Sequence, residues 1–250
     1  MKIILPMAGR GSRFAERGVT IPKPLIPVYG RPMVAWALDS LHELKYSQII
    51  FIVLQEHETA FGVTALLRDM VGRAARVVVI PTVTEGQLCT VLAAKAMIDT
   101  DEDILVASAD TYVRSALHRD IARRKLDCRG MISVANLPGD RWSFARTDES
   151  GRVVEVTEKV RISDHASAGL YYFSSGREFV QVAEKMIANQ EKTRGEYYVI
   201  PVYQKYVQQD WRVDISVADE VWDMGTPEAL AAFKQKLVRD GQIPSSEDIA

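Results

Sequence analysis

Short apolar runs alternate with longer mixed stretches along most of this chain. The runs over 3–6, 48–54, 76–81 and 103–108 are dense in Ile, Val and Leu, and their length predicts buried strands. Between them, 32–44, 59–72 and 86–98 read as helices. Such alternation predicts βαβ units, and therefore an α/β fold around a mostly parallel sheet. A further helix is expected near 113–125. Beyond it, 130–135, 142–146, 153–158 and 168–173 are closely spaced strands, with Asp148-Glu149-Ser150-Gly151 as a turn, so antiparallel strands are added to the sheet. Helices return over 176–189, 195–208 and 227–237, and residues 241–250 form a polar tail behind a single domain of 1–240.

Composition narrows the partners. The 250 residues are 47% hydrophobic and 26% charged, enough for a substantial core. With Lys+Arg at 31 against Asp+Glu at 33, the net charge of −2 gives no general attraction for nucleic acid or an anionic membrane. Anion binding therefore has to be local. Cys89 and Cys128 are too few for a disulfide framework or a zinc cluster, so a reducing, cytoplasmic location is expected. The N-terminal strand lacks the pattern of a signal peptide, and no apolar run reaches the roughly 18–20 residues of a membrane span.

Local anion chemistry is offered directly after the first strand. Ala8-Gly9-Arg10-Gly11-Ser12-Arg13 turns the chain with small residues, and Gly9 and Gly11 leave backbone N–H groups open to phosphate oxygens. Arg13 supplies a forked cation, and Lys23, between Pro22 and Pro24, a point charge on a stiffened backbone. The same residues also suit a plain tight turn with solvated cations. Spacing excludes two familiar motifs: Phe14 stands where a dinucleotide fingerprint needs Gly or Ala, and Gly11-Ser12-Arg13 replaces the Walker Gly-Lys-Ser/Thr. Further on, the apolar strand 103–108 runs into Asp110, a hard oxygen ligand suited to magnesium or, equally, a turn aspartate. Asp223, ahead of Gly225-Thr226-Pro227, carries the same two readings.

Pro6-Met7-Ala8-Gly9-x-Gly11-Ser12-Arg13-Phe14, followed by Pro22-Lys23-Pro24-Leu25 and Gly30-Arg31-Pro32-Met33, resembles the sugar nucleotidyltransferases, or NDP-sugar pyrophosphorylases. The resemblance implies a three-layer α/β/α, Rossmann-like core of the nucleotide-diphospho-sugar transferase type. It implies a magnesium-dependent enzyme joining a nucleoside triphosphate to a sugar 1-phosphate with release of pyrophosphate. Arg13 and Lys23 would then act on the triphosphate, with Ala8, Gly9, Gly11, Ser12, Gly86 and Ala109 on the nucleotide side and Mg2+ held by Asp110 and Asp223. Lys159, Glu158, Gly169 and Glu196 would face the acceptor. Without the resemblance, those four also read as an exposed charge pair, a strand kink and an ordinary helix-start acid.

Several choices stay open. Relatives that transfer uridylyl or thymidylyl groups commonly carry a glutamine five residues before the base-turn glycine; Pro81 stands there, leaving CTP, UTP and dTTP as candidates. A cytidylyltransferase acting on phosphocholine or a phosphonate is an alternative, with Trp142 and Tyr171-Tyr172 enclosing a cationic head group. A glycosyltransferase is a third reading, although Ser108-Ala109-Asp110 lacks the first acid of an Asp-x-Asp motif, and a non-catalytic nucleotide sensor is a fourth. His57 and His165 read as surface or hydrogen-bonding residues. Apolar helix faces leave a homo-oligomer open.

Overall fold

The computed structural model describes residues 1–243. The strands are β1 (Lys2–Pro6), β2 (Pro27–Val28), β3 (Arg31–Pro32), β4 (Gln48–Leu54), β5 (Ala75–Ile80) and β6 (Ile104–Ala107), then β7 (Thr111–Ser115), β8 (Cys128–Ala135), β9 (Ser143–Thr147), β10 (Val153–Glu158), β11 (Ala166–Phe173) and β12 (Arg212–Asp223). One sheet runs in the order β5-β4-β1-β6-β11-β8-β12-β7, with β9 and β10 attached beside β11, and β2 and β3 form a separate hairpin. The β5, β4, β1 and β6 ladders are parallel, whereas β11 is antiparallel to both its sheet neighbours.

The continuous apolar strands explain the layering. In β1, Ile4 packs on one face with Phe179, Met186 and Tyr203 of the helices Gly176–Ala188 and Pro201–Gln208. Ile3 and Leu5 point the other way, toward Val34, Leu67 and Leu117 of the helices Met33–Asp39, Val63–Val71 and Leu117–Arg123. Alternate strand residues thus feed two helical layers, as the period of two requires. A third cluster joins the two ends of the chain: Phe14, Met33 and Trp36 pack against Met224, Leu230 and Phe233.

Several elements depart from the sequence pattern. Residues 113–115 are the end of β7, and the helix expected near 113–125 covers only Leu117–Arg123. The stretch 59–72 is two helices, Gln55–Phe61 and Val63–Val71, parted by Gly62 at φ 58°. The stretch 86–98 likewise divides into Gln87–Leu92 and Lys95–Ile98, and the helix begun at Met33 ends at Asp39. Of 195–208 only Pro201–Gln208 is helical. The longest strand, β12, and the β2–β3 hairpin were not anticipated. The polar tail expected over 241–250 lies outside the described residues from 244 onward. Among the described residues, no helix is long and apolar enough to cross a membrane.

Candidate active site

The loop after β1 leaves the sheet once Met7 has donated its N–H to Ile52 O at 2.8 Å. Gly9 has nothing within 4 Å of where a Cβ would stand, so its backbone is open to the cleft. The single turn Ser12–Ala15 buries Phe14 in the third cluster and leaves Arg13 exposed, lining a cavity with Lys23, Asp110, Lys159 and Asp223. Two adjoining cavities extend this space: one, toward Pro6, Gly9, Ser108, Ala109 and Gln87, also holds Lys23, Asp110, Glu196 and Tyr198. The other runs past Ala8 to Thr84, Glu85, Gly86 and Thr90. Gly11, Ser12, Glu158 and Gly169 line none of these three, nor do His57 and His165.

Sheet topology brings the two aspartates together. Asp110 ends the turn after β6, and β7 pairs with β12 so that Thr111 faces Asp223. Met224 N–H then donates to Asp110 O at 2.8 Å. A Cβ on Gly225 would stand 2.8 Å from Asp223 Oδ1 and 3.1 Å from Asp110 Oδ2, so both carboxylates border the space that this glycine leaves. Lys23 Nζ donates to Asp110 Oδ2 at 2.6 Å. Burial pushes the Asp110 carboxyl up, but the charge and hydrogen bond of Lys23 outweigh it and hold the group below its ordinary range. Asp223 Oδ1 accepts from Gly225 N at 2.8 Å, while Oδ2 is buried, lacks a hydrogen-bond donor and lies 2.8 Å from Arg141 Nη1.

The far side of the cleft is cationic and aromatic. Lys159, at φ 55°, sends Nζ to Tyr198 Oη at 2.6 Å, and Arg194, at φ 50°, donates to Lys159 O at 2.9 Å. Side chains with positive φ are sparse outside glycine, so two of them facing one cavity mark an imposed geometry. Glu158 turns inward: it is buried and accepts a hydrogen bond from Ser143. Burial raises the Glu158 carboxyl, against the Ser143 hydrogen bond and the Lys159 charge that pull it down. Arg141 and Trp142 stack at 4.2 Å beside them.

Two of the expected glycines have packing duties. Gly86 sits at φ 144°, where a Cβ would meet Tyr197 O at 2.4 Å. The contact lets Leu88 N–H donate to Tyr197 O and Tyr197 N–H to Glu85 O, both at 3.0 Å, which lays Glu196 into the cleft from the end of a tight turn bridged to Thr193. Gly169, at φ 80°, lies under Ser108, whose Oγ would be 2.4 Å from an added Cβ. Gly169→Ala is accordingly expected to cost about 1–3 kcal/mol of stability. A urea-unfolding midpoint equal to that of the parent would refute this packing role. The aromatic enclosure of a head group is not formed as expected: Tyr171 and Tyr172 are 6% and 0% exposed and point into opposite core layers, because β11 is central. Gln87 and Tyr198 join the cleft from the segments that also carry Gly86 and Glu196, while Asp140, Arg141 and Arg194 join it from loops that no local motif announced.

A mostly parallel sheet with antiparallel additions, and a cleft at its strand ends, defines an α/β protein of the nucleotide-diphospho-sugar transferase type. The family model described as nucleotidyl transferase matches residues 1–240, and the chain belongs to that family of nucleotidyltransferases. It is 30% identical over 210 residues to the bifunctional protein GlmU of Thermotoga maritima, a match covering 80% of this chain and 43% of that relative. The chain therefore spans less than half of that relative's length. Low-salt glycan biosynthesis nucleotidyltransferase Agl11 of Haloferax volcanii is 24% identical over 250 residues, covering 97% of this chain and 68% of the relative. Among solved structures, the nucleoside-diphosphate-sugar pyrophosphorylase of Vibrio cholerae RC9 superposes with a TM-score of 0.83 at 28% identity, covering 93% of this chain and 99% of that one.

Proposed function

We propose that this protein joins a nucleoside triphosphate to a sugar 1-phosphate, giving an NDP-sugar and pyrophosphate, through a domain of 1–240 working in the cytoplasm with Mg2+. The observation that carries this reading is the convergence of Arg13, Lys23, Asp110 and Asp223 on one cleft. The donor set fits magnesium. Two carboxylates border the gap at Gly225, and Asp223 keeps a buried oxygen without a hydrogen bond. Among the described residues, no third His, Cys, Asp or Glu joins them in a metal-binding group, which suits an ion that takes its other ligands from phosphates and water. Asp110 and Asp223 would hold the ion, which supplies charge neutralisation on the triphosphate when bound.

The remaining work falls to the chain's own groups. A phosphate monoester is already largely ionised at neutral pH, so its oxygen attacks the α-phosphorus in line without a general base. Arg13 grips the triphosphate, and Lys23 orients the α-phosphate and meets the charge that builds there. Lys159 takes the acceptor phosphate and Glu196 a hydroxyl of the acceptor, while Ala8, Gly9, Gly86 and Ala109 border the nucleotide. Gly11 and Ser12 shape the loop, and Glu158 and Gly169 support the acceptor side from behind.

The test is pyrophosphate release with magnesium, crossing CTP, UTP, dTTP, ATP and GTP against sugar 1-phosphates, phosphocholine and 2-aminoethylphosphonate. One productive sugar 1-phosphate pair, silenced by EDTA and restored by Mg2+, is the expected result. Turnover with phosphocholine or the phosphonate alone would replace the acceptor class. Triphosphate binding without release against any acceptor would replace the enzyme with a sensor.

A further inference from the structure

Both aspartates read as metal ligands already hold a cation from the chain, but in different ways. Lys23 makes a well-formed hydrogen bond to Asp110 Oδ2. Arg141 Nη1 comes within 2.8 Å of Asp223 Oδ2 without hydrogen bonding to it, so the guanidinium approaches off the N–H axis. The Arg141 side chain is 47% exposed, against 13% for Asp223. Its loop is held along its length: Arg161 donates to Leu137 O at 2.8 Å and Gly139 O at 3.1 Å, Trp142 Nε1 to Pro138 O at 3.0 Å, and Lys159 N–H to Trp142 O at 2.9 Å. The backbone under Arg141 is therefore fixed, and its half-exposed side chain borders solvent into which it can turn.

We infer that Arg141 is an exchangeable counter-ion of Asp223: its guanidinium and a divalent cation are alternative partners of Oδ2, and cation binding releases Arg141 into the cavity. This rests on reading Asp223 as a metal ligand. A guanidinium and a dication on one oxygen repel each other, and Arg141, unlike Lys23 on Asp110, has no hydrogen bond to offset that repulsion. An off-axis, half-exposed ion pair is the weaker partner, and a hard dication binding through carboxylate oxygen is the stronger. Once released, the fork joins Lys159 and Arg194 on the same cavity wall, a trio of cations fitted to a phosphate. Arg141 thereby couples metal loading to the arrival of a phosphorylated acceptor.

Mn2+ titrated into the full-length protein, followed by paramagnetic resonance of the free ion and by tryptophan emission, tests the exchange. Arg141 stacks on Trp142, so release alters that indole's environment, and Trp142→Phe identifies its signal among the four tryptophans. Arg141→Gln is expected to bind Mn2+ about tenfold tighter. Arg194→Gln, which removes a cation from the same cavity without touching Asp223, is expected to change affinity by about twofold or less. Mn2+ should shift Trp142 emission in the parent and not in Arg141→Gln. Equal tightening in both variants, or none in Arg141→Gln, would overturn the exchange. Asp223→Asn separates the two layers: unchanged Mn2+ affinity there sinks the metal-ligand reading itself, whereas weakened affinity with no effect of Arg141→Gln removes only the exchange.

Discussion

Asp110→Asn is expected to lower kcat/KM for pyrophosphate release by about a thousandfold while the protein stays folded. Asparagine has nearly the shape of aspartate and leaves Lys23 an oxygen to donate to, replacing the 2.6 Å contact rather than deleting it. What disappears is the negative charge. Lys23 holds that carboxyl ionised despite its burial, and the charge is what the proposed magnesium ion would require. The variant should therefore keep the parent's circular dichroism, show a lower thermal midpoint because the Lys23 ammonium loses its counter-charge, and lose turnover. Near-parental turnover in a correctly folded Asp110→Asn protein would move the chemistry away from this end of β6. Unfolding of the variant would leave Asp223→Asn as the second test of the same carboxylate pair, with the same expected loss.

The chain displayed its sheet more plainly than its cleft. β4 and β10 stand where the apolar pattern predicted them, because Gln48–Leu54 is buried on nearly every residue and Val153–Glu158 is bounded by a clear turn. β12 escaped because Arg212–Asp223 interleaves charged residues with apolar ones, and its two halves face different partners. Arg212–Val217 pair parallel with β8 and Ala218–Asp223 antiparallel with β7, the latter with a register shift between Ala218 and Glu220, so no single period marks it. Residues 195–198 resemble a helix start locally, yet Arg194-Gly195 turn between the bridged Thr193 and Glu196, and Tyr197 is held by hydrogen bonds to Glu85 and Leu88, more than a hundred residues away in the chain. The candidate site divides in the same way. Arg13, Lys23, Asp110 and Asp223 were picked out because each sits in a short motif that resembles the nucleotidyltransferases; the residues alone also suited a plain turn. Asp140, Arg141 and Arg194 gain meaning only where their loops meet Arg13, Lys23 and the two aspartates around one cavity, and no local pattern encodes that encounter.

Lys23→Met should separate catalysis from structure at this site. The lysine and Asp110 side chains are 26% and 23% exposed, so removing the cation strands a largely desolvated carboxylate, with an expected loss of about 1–3 kcal/mol of stability. Turnover should fall about a hundredfold or more, since the charge proposed to meet the α-phosphate in the transition state is gone. Lys23→Arg is not a rescue, because the 2.6 Å contact seats a compact ammonium between Pro22 and Pro24 where a planar fork has a different reach. The informative variant is the double one. Lys23→Met with Asp110→Asn leaves no buried charge unpaired, so it should recover most of the stability lost in Lys23→Met while turnover remains at the level of the weaker single variant. Recovery of stability without activity, read by urea unfolding and by pyrophosphate release on the same preparations, is what a pair serving both fold and chemistry predicts. If the double variant were as unstable as Lys23→Met alone, the penalty would come from lost packing of the lysine stem, and the ion pair would have no part in holding the site.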